Sequence, residues 1–284
     1  VGTASGLALS PSFGSAASSS ILDRLSVSSS AAYSLRKLRN AYTGNAIRVR
    51  RSSDNAEADI GFTTSGDLDT VALLAHCGAG NGFVTTWYDQ SGNGRNAVQT
   101  TAGNQPCIVN AGVIETQNGR ATVSQSNQNQ FLPISATFNG LTSATGIFVF
   151  RQLTGNAGAH GFMFQAGVHN HAPWQDGNAY DSFFSASRQA FNNYGPVSIP
   201  STTTLTTHTV RQTGTALQVF KNGTQIDGDK TVNFQAPGVR SLFTLDAFGT
   251  TAVSESIVFG AALSTTDRQI LERNQGVYYG IAIA

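Results

Sequence analysis

The densest collection of chemistry-bearing side chains falls between Gly158 and Tyr180, where His160, His169, His171, Trp174, Gln175, Asp176, Asn178 and Tyr180 sit among glycines. A sugar site needs an aromatic plane for the C–H face of the ring and amides or carboxylates for its hydroxyls, each buried one paired. Trp174 with Asp176, Asn178 and Tyr180 fits that recipe. The same tryptophan could equally do no more than cover the open end of a sandwich. His169 and His171 alternate as strand residues do, so both can face one side, but two ligands alone do not make a metal centre. No Ser-His-Asp arrangement and no phosphate-cradling glycine loop occurs.

A second concentration is Tyr88-Asp89-Gln90-Ser91-Gly92-Asn93-Gly94. Asp89 there can cap its own turn through an Asx-type bond, hold a calcium ion, or touch sugar. Calcium wants several oxygens around one point, which Asp54, Asn55, Asp59, Asp89 and Asn93 could supply; no other cofactor is indicated. Six of the 17 basic residues lie between Arg36 and Arg51. They read either as a solvated helix face followed by the outer face of a strand, or as a patch for phosphate or acidic glycan. The net charge of +1 gives no overall field to attract nucleic acid or anionic lipid. Cys77 and Cys107 allow one disulfide in an oxidising compartment or two buried free thiols. Without a CxxC or a Cys/His cluster, structural zinc is not expected.

These groups must be positioned by a β framework. Hydrophobic residues make up 40% of the chain and charged residues 12%, the latter about half the usual share. With 30 glycines, this describes a turn-rich β protein whose surface is polar but uncharged, as is common outside cells. Residues 1–30, rich in Ser, Ala and Gly, read as an extended arm ahead of one domain spanning 31–284. Ala31, Leu35, Leu38 and Tyr42 recur at helical spacing. A second short helix is expected between Asp67 and Gly78 with Leu68, Val71 and Leu74 inward. Strands are expected at Ala46–Arg50, Asp59–Phe62, Phe83–Tyr88, Cys107–Val109, Gly112–Thr116, Gly146–Arg151, Gly161–Phe164, Ser182–Ser185, Thr207–Arg211, Ala216–Lys221, Ser241–Leu245 and Ser254–Phe259. Asn222-Gly223 is a two-residue hairpin turn, and Ser264 opens a closing helix that carries Ile270, Leu271 and Val277. No apolar run approaches about 18 residues and no basic leader precedes one, so neither a membrane span nor a signal peptide is expected. Many short strands with few helices imply two packed antiparallel sheets.

Two stretches carry more than generic β chemistry. The first runs through Ala32-Tyr33-Ser34-Leu35-Arg36, Tyr42-Thr43-Gly44-Asn45-Ala46-Ile47-Arg48-Val49-Arg50-Arg51-Ser52-Ser53-Asp54-Asn55, Asp59-Ile60-Gly61-Phe62, Cys77 and Trp87 to Gly94. In order and spacing it resembles the amino-terminal half of the α-L-arabinofuranosidase B catalytic domain, a glycoside hydrolase β-sandwich, and also structural proteins of tailed bacteriophages. The second, Glu255-Ser256-Ile257-Val258-Phe259 with Leu263 to Glu272 and Tyr279-Gly280-Ile281, looks like the closing strand and helix of laminin-G/concanavalin-like domains. The resemblance implies an all-β, concanavalin/laminin-G-like antiparallel sandwich (jelly roll) with a few short peripheral helices. It also implies a nucleophile at the position of Asp181 and an acid/base at Asp246. The family has Glu at the first of these and an adjacent Cys-Cys pair at the sugar pocket, which has no counterpart here. Asp for Glu withdraws the carboxylate by roughly 1.5 Å, and a misplacement of about 1 Å already costs a hundredfold in rate.

On these grounds the expected function is a non-catalytic structural or adhesion module with glycan binding, such as a phage tail-fibre, head-fibre or decoration protein. It would sit on the virion surface or outside the cell as a homo-oligomer or beside other virion subunits. The alternative is a secreted retaining α-L-arabinofuranosidase using Asp181 and Asp246.

Overall fold

A computed structural model describes residues 20–127, 129–134, 143–155, 204–226, 230–231, 240–243 and 249–284. After a 3-10 turn at Ile21–Arg24, the described strands start with β1 (Ala31–Ser34), β2 (Ile47–Arg51) and β3 (Glu57–Ile60); helix α1 (Thr70–Cys77) leads into β4 (Gly82–Trp87). Short pieces follow: β5 (Ala97–Val98), β6 (Cys107–Asn110), β7 (Val113–Ile114), the hairpin β8 (Thr116–Gln117) and β9 (Arg120–Ala121), β10 (Val123–Ser124) and β11 (Leu132–Ile134). The long strands are β12 (Ser143–Gly155), β13 (Thr206–Thr213) and β14 (Ala216–Lys221). After β15 (Thr224–Gln225), β16 (Lys230–Thr231) and β17 (Arg240–Leu242) come β18 (Gly249–Phe259) and helix α2 (Thr265–Tyr279).

The described strands pair antiparallel in the order β15-β14-β13-β12-β18-β10-β6-β4-β5-β11-β17. β18 is where the path turns. One of its edges pairs with β12 along most of its length, while the other is shared between β1, at Glu255 to Val258, and β10, at Ala252 and Val253. Val49, Val84 and Ile108 from the early strands thereby meet Phe148, Phe150 and Val210 from the late ones in one buried cluster. Each such side chain contributes about 1.5–3 kcal/mol on leaving water. The architecture is an all-β sandwich with few helices, as the strand count implied.

Helix α2 covers the outer face of β12 and β18. Ser264 caps it by accepting from Asp267 N at 3.0 Å, and Leu271 packs with Ile147, Ile257 and Phe259. Ile270 is only partly buried and Val277 is exposed. The hairpin turn stands as expected, with φ of 49° at Asn222 and 84° at Gly223.

Three expectations need correcting. Residues 31–42 are not helical: Ala31–Ser34 is a strand paired to β18. The backbone groups that a helix would use internally are bonded elsewhere, since Leu38 N donates to Gln90 Oε1 and the carbonyls of Ser34 and Arg36 accept from Gln90 Nε2. Helix α1 turns a different face inward, burying Leu73 and Cys77 and exposing Val71 and Leu74; its cap is Asp69. Residues 20–30, assigned to the arm, lie against the body: Ile21 and Leu22 are buried with Leu38 and Leu263. Residues 1–19 and the strands expected at Gly161–Phe164 and Ser182–Ser185 lie outside the described residues.

Candidate functional site

The motif Tyr88 to Gly94 is a clasp on the main chain. Asp89 Oδ1 accepts from Ala32 N and Ser91 N, both at 2.9 Å. Its Oδ2 accepts from Ser91 Oγ at 2.7 Å and Arg95 N at 3.0 Å. Gln90, fully buried, spends its amide on Leu38 N, Ser34 O and Arg36 O, and its own N donates to Ala32 O. Asn93 Nδ2 reaches Ser29 O and Ser30 O. Of the three roles open to Asp89, turn capping is the one its bonds describe. Both carboxylate oxygens are taken by protein donors.

The calcium candidates are not brought together. Asp54 pairs with Arg51 in the β2–β3 turn at 2.7 Å, a hydrogen bond that holds its carboxyl well below the usual range. Asp59 accepts from Arg48 at 3.0 Å and from the Tyr88 hydroxyl at 2.6 Å. Among the described residues no three His, Cys, Asp or Glu gather as metal ligands. Four of the six residues of the basic run are engaged within the protein: Arg48 and Arg51 face carboxylates, Arg50 bonds Gln105 and Asn55, and Arg36 is buried. Cys77 and Cys107 are free buried thiols, and burial pushes the Cys107 thiol up to about 12.

Behind β1, sequence reasoning missed a second assembly. Glu255 on β18 is fully buried and grips Arg36 through two bonds, Nε to Oε2 at 2.8 Å and Nη2 to Oε1 at 3.1 Å. Ser34 Oγ, Gln275 Nε2 and the Tyr279 hydroxyl also donate to it. Burial works to raise the Glu255 carboxyl, but the Arg36 charge and these hydrogen bonds outweigh it and hold the group below its ordinary value. Close by, Glu272 pairs with Arg268 and accepts from Thr209. A signal was present: a lone carboxylate inside Ala252-Val253-Ser254-Glu255-Ser256-Ile257 demands a buried cation, although nothing local says which.

The sequence-predicted site residues Trp174, Asp176, Asn178, Tyr180 and Asp181 fall in 156–203, and Asp246 in 244–248, both outside the described residues. The anchors of those two connections are described. Gly155, last residue of β12, is the cross-strand partner of Gly249, first residue of β18. One connection leaves the sheet where the other returns. Beside that corner lies an amide-rich floor. Thr251 N and Oγ1 donate to Gln125 Oε1 at 3.0 Å, and Gln125 Nε2 donates to Gln130 O at 2.7 Å. Gln152 is the buried cross-strand partner of Thr251. Arg151 Nη1 donates to Gln117 at 2.9 Å while its buried Nε has no partner among the described residues.

Residues 24–137 match the family model described as "Alpha-L-arabinofuranosidase B, catalytic". A stretch of 68 residues is 38% identical to an alpha-L-arabinofuranosidase of Hypocrea jecorina, covering 24% of this chain and 14% of that protein. Among solved structures, an arabinofuranosidase complexed with arabinofuranosyl-alpha-1,2-xylobiose superposes with a TM-score of 0.69 at 17% identity over 89% of this chain. A GH54 α-L-arabinofuranosidase soaked with a cyclic sulfate inhibitor gives 0.67 at 18% over the same share. The chain spans 63% of the length of either. These matches overturn the expected non-catalytic virion or adhesion module: the front block, where the two readings diverged, aligns with the catalytic domain of an arabinofuranosidase. In sequence over 24–137, and in fold over most of its length, the chain resembles the arabinofuranosidase B catalytic domain.

Proposed function

We propose that this chain is the catalytic sandwich of an extracellular glycoside hydrolase that removes α-L-arabinofuranosyl groups from polysaccharide. The match of residues 24–137 to a catalytic domain carries the reading. Asp246 is assigned as general acid/base and Asp181 as nucleophile, with Trp174, Asp176, Asn178 and Tyr180 holding the sugar. Asp246 protonates the glycosidic oxygen as Asp181 attacks the anomeric carbon; the resulting glycosyl-enzyme ester is hydrolysed by a water that Asp246 deprotonates, with net retention. Such a couple needs its carboxyl groups about 5–5.5 Å apart. The pairing of Gly155 with Gly249 supports this, because the connections bearing the two residues are tethered at one corner. The shorter Asp181 requires its main chain to stand closer to the sugar than a glutamate would.

The test is arabinose release from arabinofuranosyl-xylobiose and from 4-nitrophenyl α-L-arabinofuranoside by the purified chain. Turnover with retained anomeric configuration is expected, and Asp246→Asn should lower kcat about 10²–10⁴-fold on the xylobioside. No release from either substrate would end the proposal. Full activity in both Asp181→Asn and Asp246→Asn would end the residue assignment.

A further inference from the structure

A cavity of about 230 Å³ among the described residues is lined by none of the residues that flank 156–203 or 244–248. It lies between the loop from Thr63 to Thr70, the tip of the β8–β9 hairpin and the C-terminal end of α2. At roughly 30 Å³ of liquid per water, it holds the equivalent of seven or eight waters, room for one sugar ring.

Its polar wall is built around Asp67. Oδ1 accepts from the Tyr278 hydroxyl at 2.6 Å and from Arg120 Nη1 at 3.4 Å. Oδ2 accepts from Ser65 Oγ at 3.1 Å, and Ser65 Oγ is itself 2.8 Å from Thr63 Oγ1. Arg120 is fixed by a second bond, Nε to Tyr278 O at 3.0 Å. The Tyr278 ring carries the Arg120 guanidinium at 4.1 Å and that of Arg36 at 4.4 Å. With two guanidinium groups packed on it, the ring is already engaged within the protein, and the sugar platform is not assigned to it. Recognition has to run through the half-exposed carboxylate and guanidinium and the hydroxyls of Thr63, Ser65 and Thr70. Leu35, Leu68 and Ala121 supply an apolar floor for C–H groups.

The charges of Asp67 and Arg120 cancel within the wall, which disfavours a charged guest. An acceptor beside a forked donor is instead the arrangement that bridges two neighbouring hydroxyls of a ring. We propose that this cavity is a second, non-catalytic site for a single neutral glycosyl unit. The inference stands on the cavity alone and holds whether or not Asp181 and Asp246 are catalytic.

The test is a titration of the isotope-labelled full chain with L-arabinose, with glycerol as control, read by amide chemical shifts. Saturable shifts at Asp67, Gly119, Arg120 and Ala121 in the millimolar range are expected, as suits so small a ligand, and they should persist in Asp246→Asn, which separates this site from the hydrolytic one. Thr70→Trp, which fills the cavity, should abolish them. Arg120→Met keeps the side-chain stem and should weaken binding about tenfold, the worth of a hydrogen bond to a charged group; it decides the question alone should the tryptophan variant unfold. Absence of saturable shifts at these amides, an equal response to glycerol, or unchanged affinity in Arg120→Met would overturn the proposal.

Discussion

The segment from Ala32 to Leu38, which starts in strand β1, is held from two sides by different chemistry. On one side Asp89 and Gln90 bond the main chain of Ala32, Ser34, Arg36 and Leu38, residue by residue. On the other, Glu255 holds the side chain of Arg36, with Ser34, Gln275 and Tyr279 filling its remaining lone pairs. The first assembly dictates a backbone path and leaves little choice in residue type. The second balances a charge, a task that several residue combinations could perform. A sequence motif specific enough to be recognised can therefore report architecture, while an ion pair of equal burial goes unnoticed.

The largest expected effect breaks the rear side. Arg36→Ala strands a fully buried carboxylate and should cost about 3–5 kcal/mol in urea unfolding, whereas replacing Arg36 and Glu255 together by Met and Leu should recover most of that loss. A double variant as unstable as the single one would show that the pair is not the source of the cost. Next comes the front side. Asp89→Ala leaves the buried amides of Ala32 and Ser91 without acceptors, for about 2–3 kcal/mol, and no apolar substitute restores it because the orphaned partners are main chain. If Asp89→Leu proved neutral, the contrast between the two assemblies would collapse.

That contrast explains what was legible. β2, β4, β14 and α2 follow from alternation, the Asn222-Gly223 turn and the Ser264 cap, all local signals. The failures are non-local. Ala31 to Tyr42 has helical spacing, but its backbone is claimed by Gln90, 52 residues beyond Leu38. Arg36 and Glu255 are 219 residues apart, and neither neighbourhood names the other. Val71 and Leu74 look like the inner face of α1, yet that short helix rests on Leu73 and Cys77. As for the candidate site, the sequence supplies its residue types, the resemblance supplies their roles, and only the Gly155–Gly249 anchor comes from the described structure.

Acid should separate the two regions further. His208, fully buried in the late strands with neither ring nitrogen hydrogen-bonded among the described residues, is pushed down to about 3, first by burial and then by Lys221. A folded-state value below the unfolded 6.5 means stability that is complete at neutral pH and lost as pH falls through that window. Glu255 adds a loss of the same sign at lower pH, beginning below its unfolded value near 4.5. About 1–2 kcal/mol should disappear between pH 7 and 5, and His208→Leu should flatten that slope. Amide exchange at pH 5 should open β13 before β4; simultaneous opening would mean that the two regions unfold as one unit.

The smallest effect lies within the clasp itself. Asn93 makes two bonds to the carbonyls of Ser29 and Ser30, as many main-chain contacts as Asp89 Oδ1, but it is exposed. Water can replace an exposed amide at carbonyl oxygens, whereas nothing replaces Asp89 at buried N–H groups. Asn93→Ala should therefore cost no more than about 0.5 kcal/mol. The thermal midpoint of that variant, set against Asp89→Ala, measures whether burial or bond count makes the clasp hold. A loss as large for Asn93 as for Asp89 would favour bond count, and the distinction between main-chain clasp and charge pair would have to be redrawn around the whole of Tyr88 to Gly94.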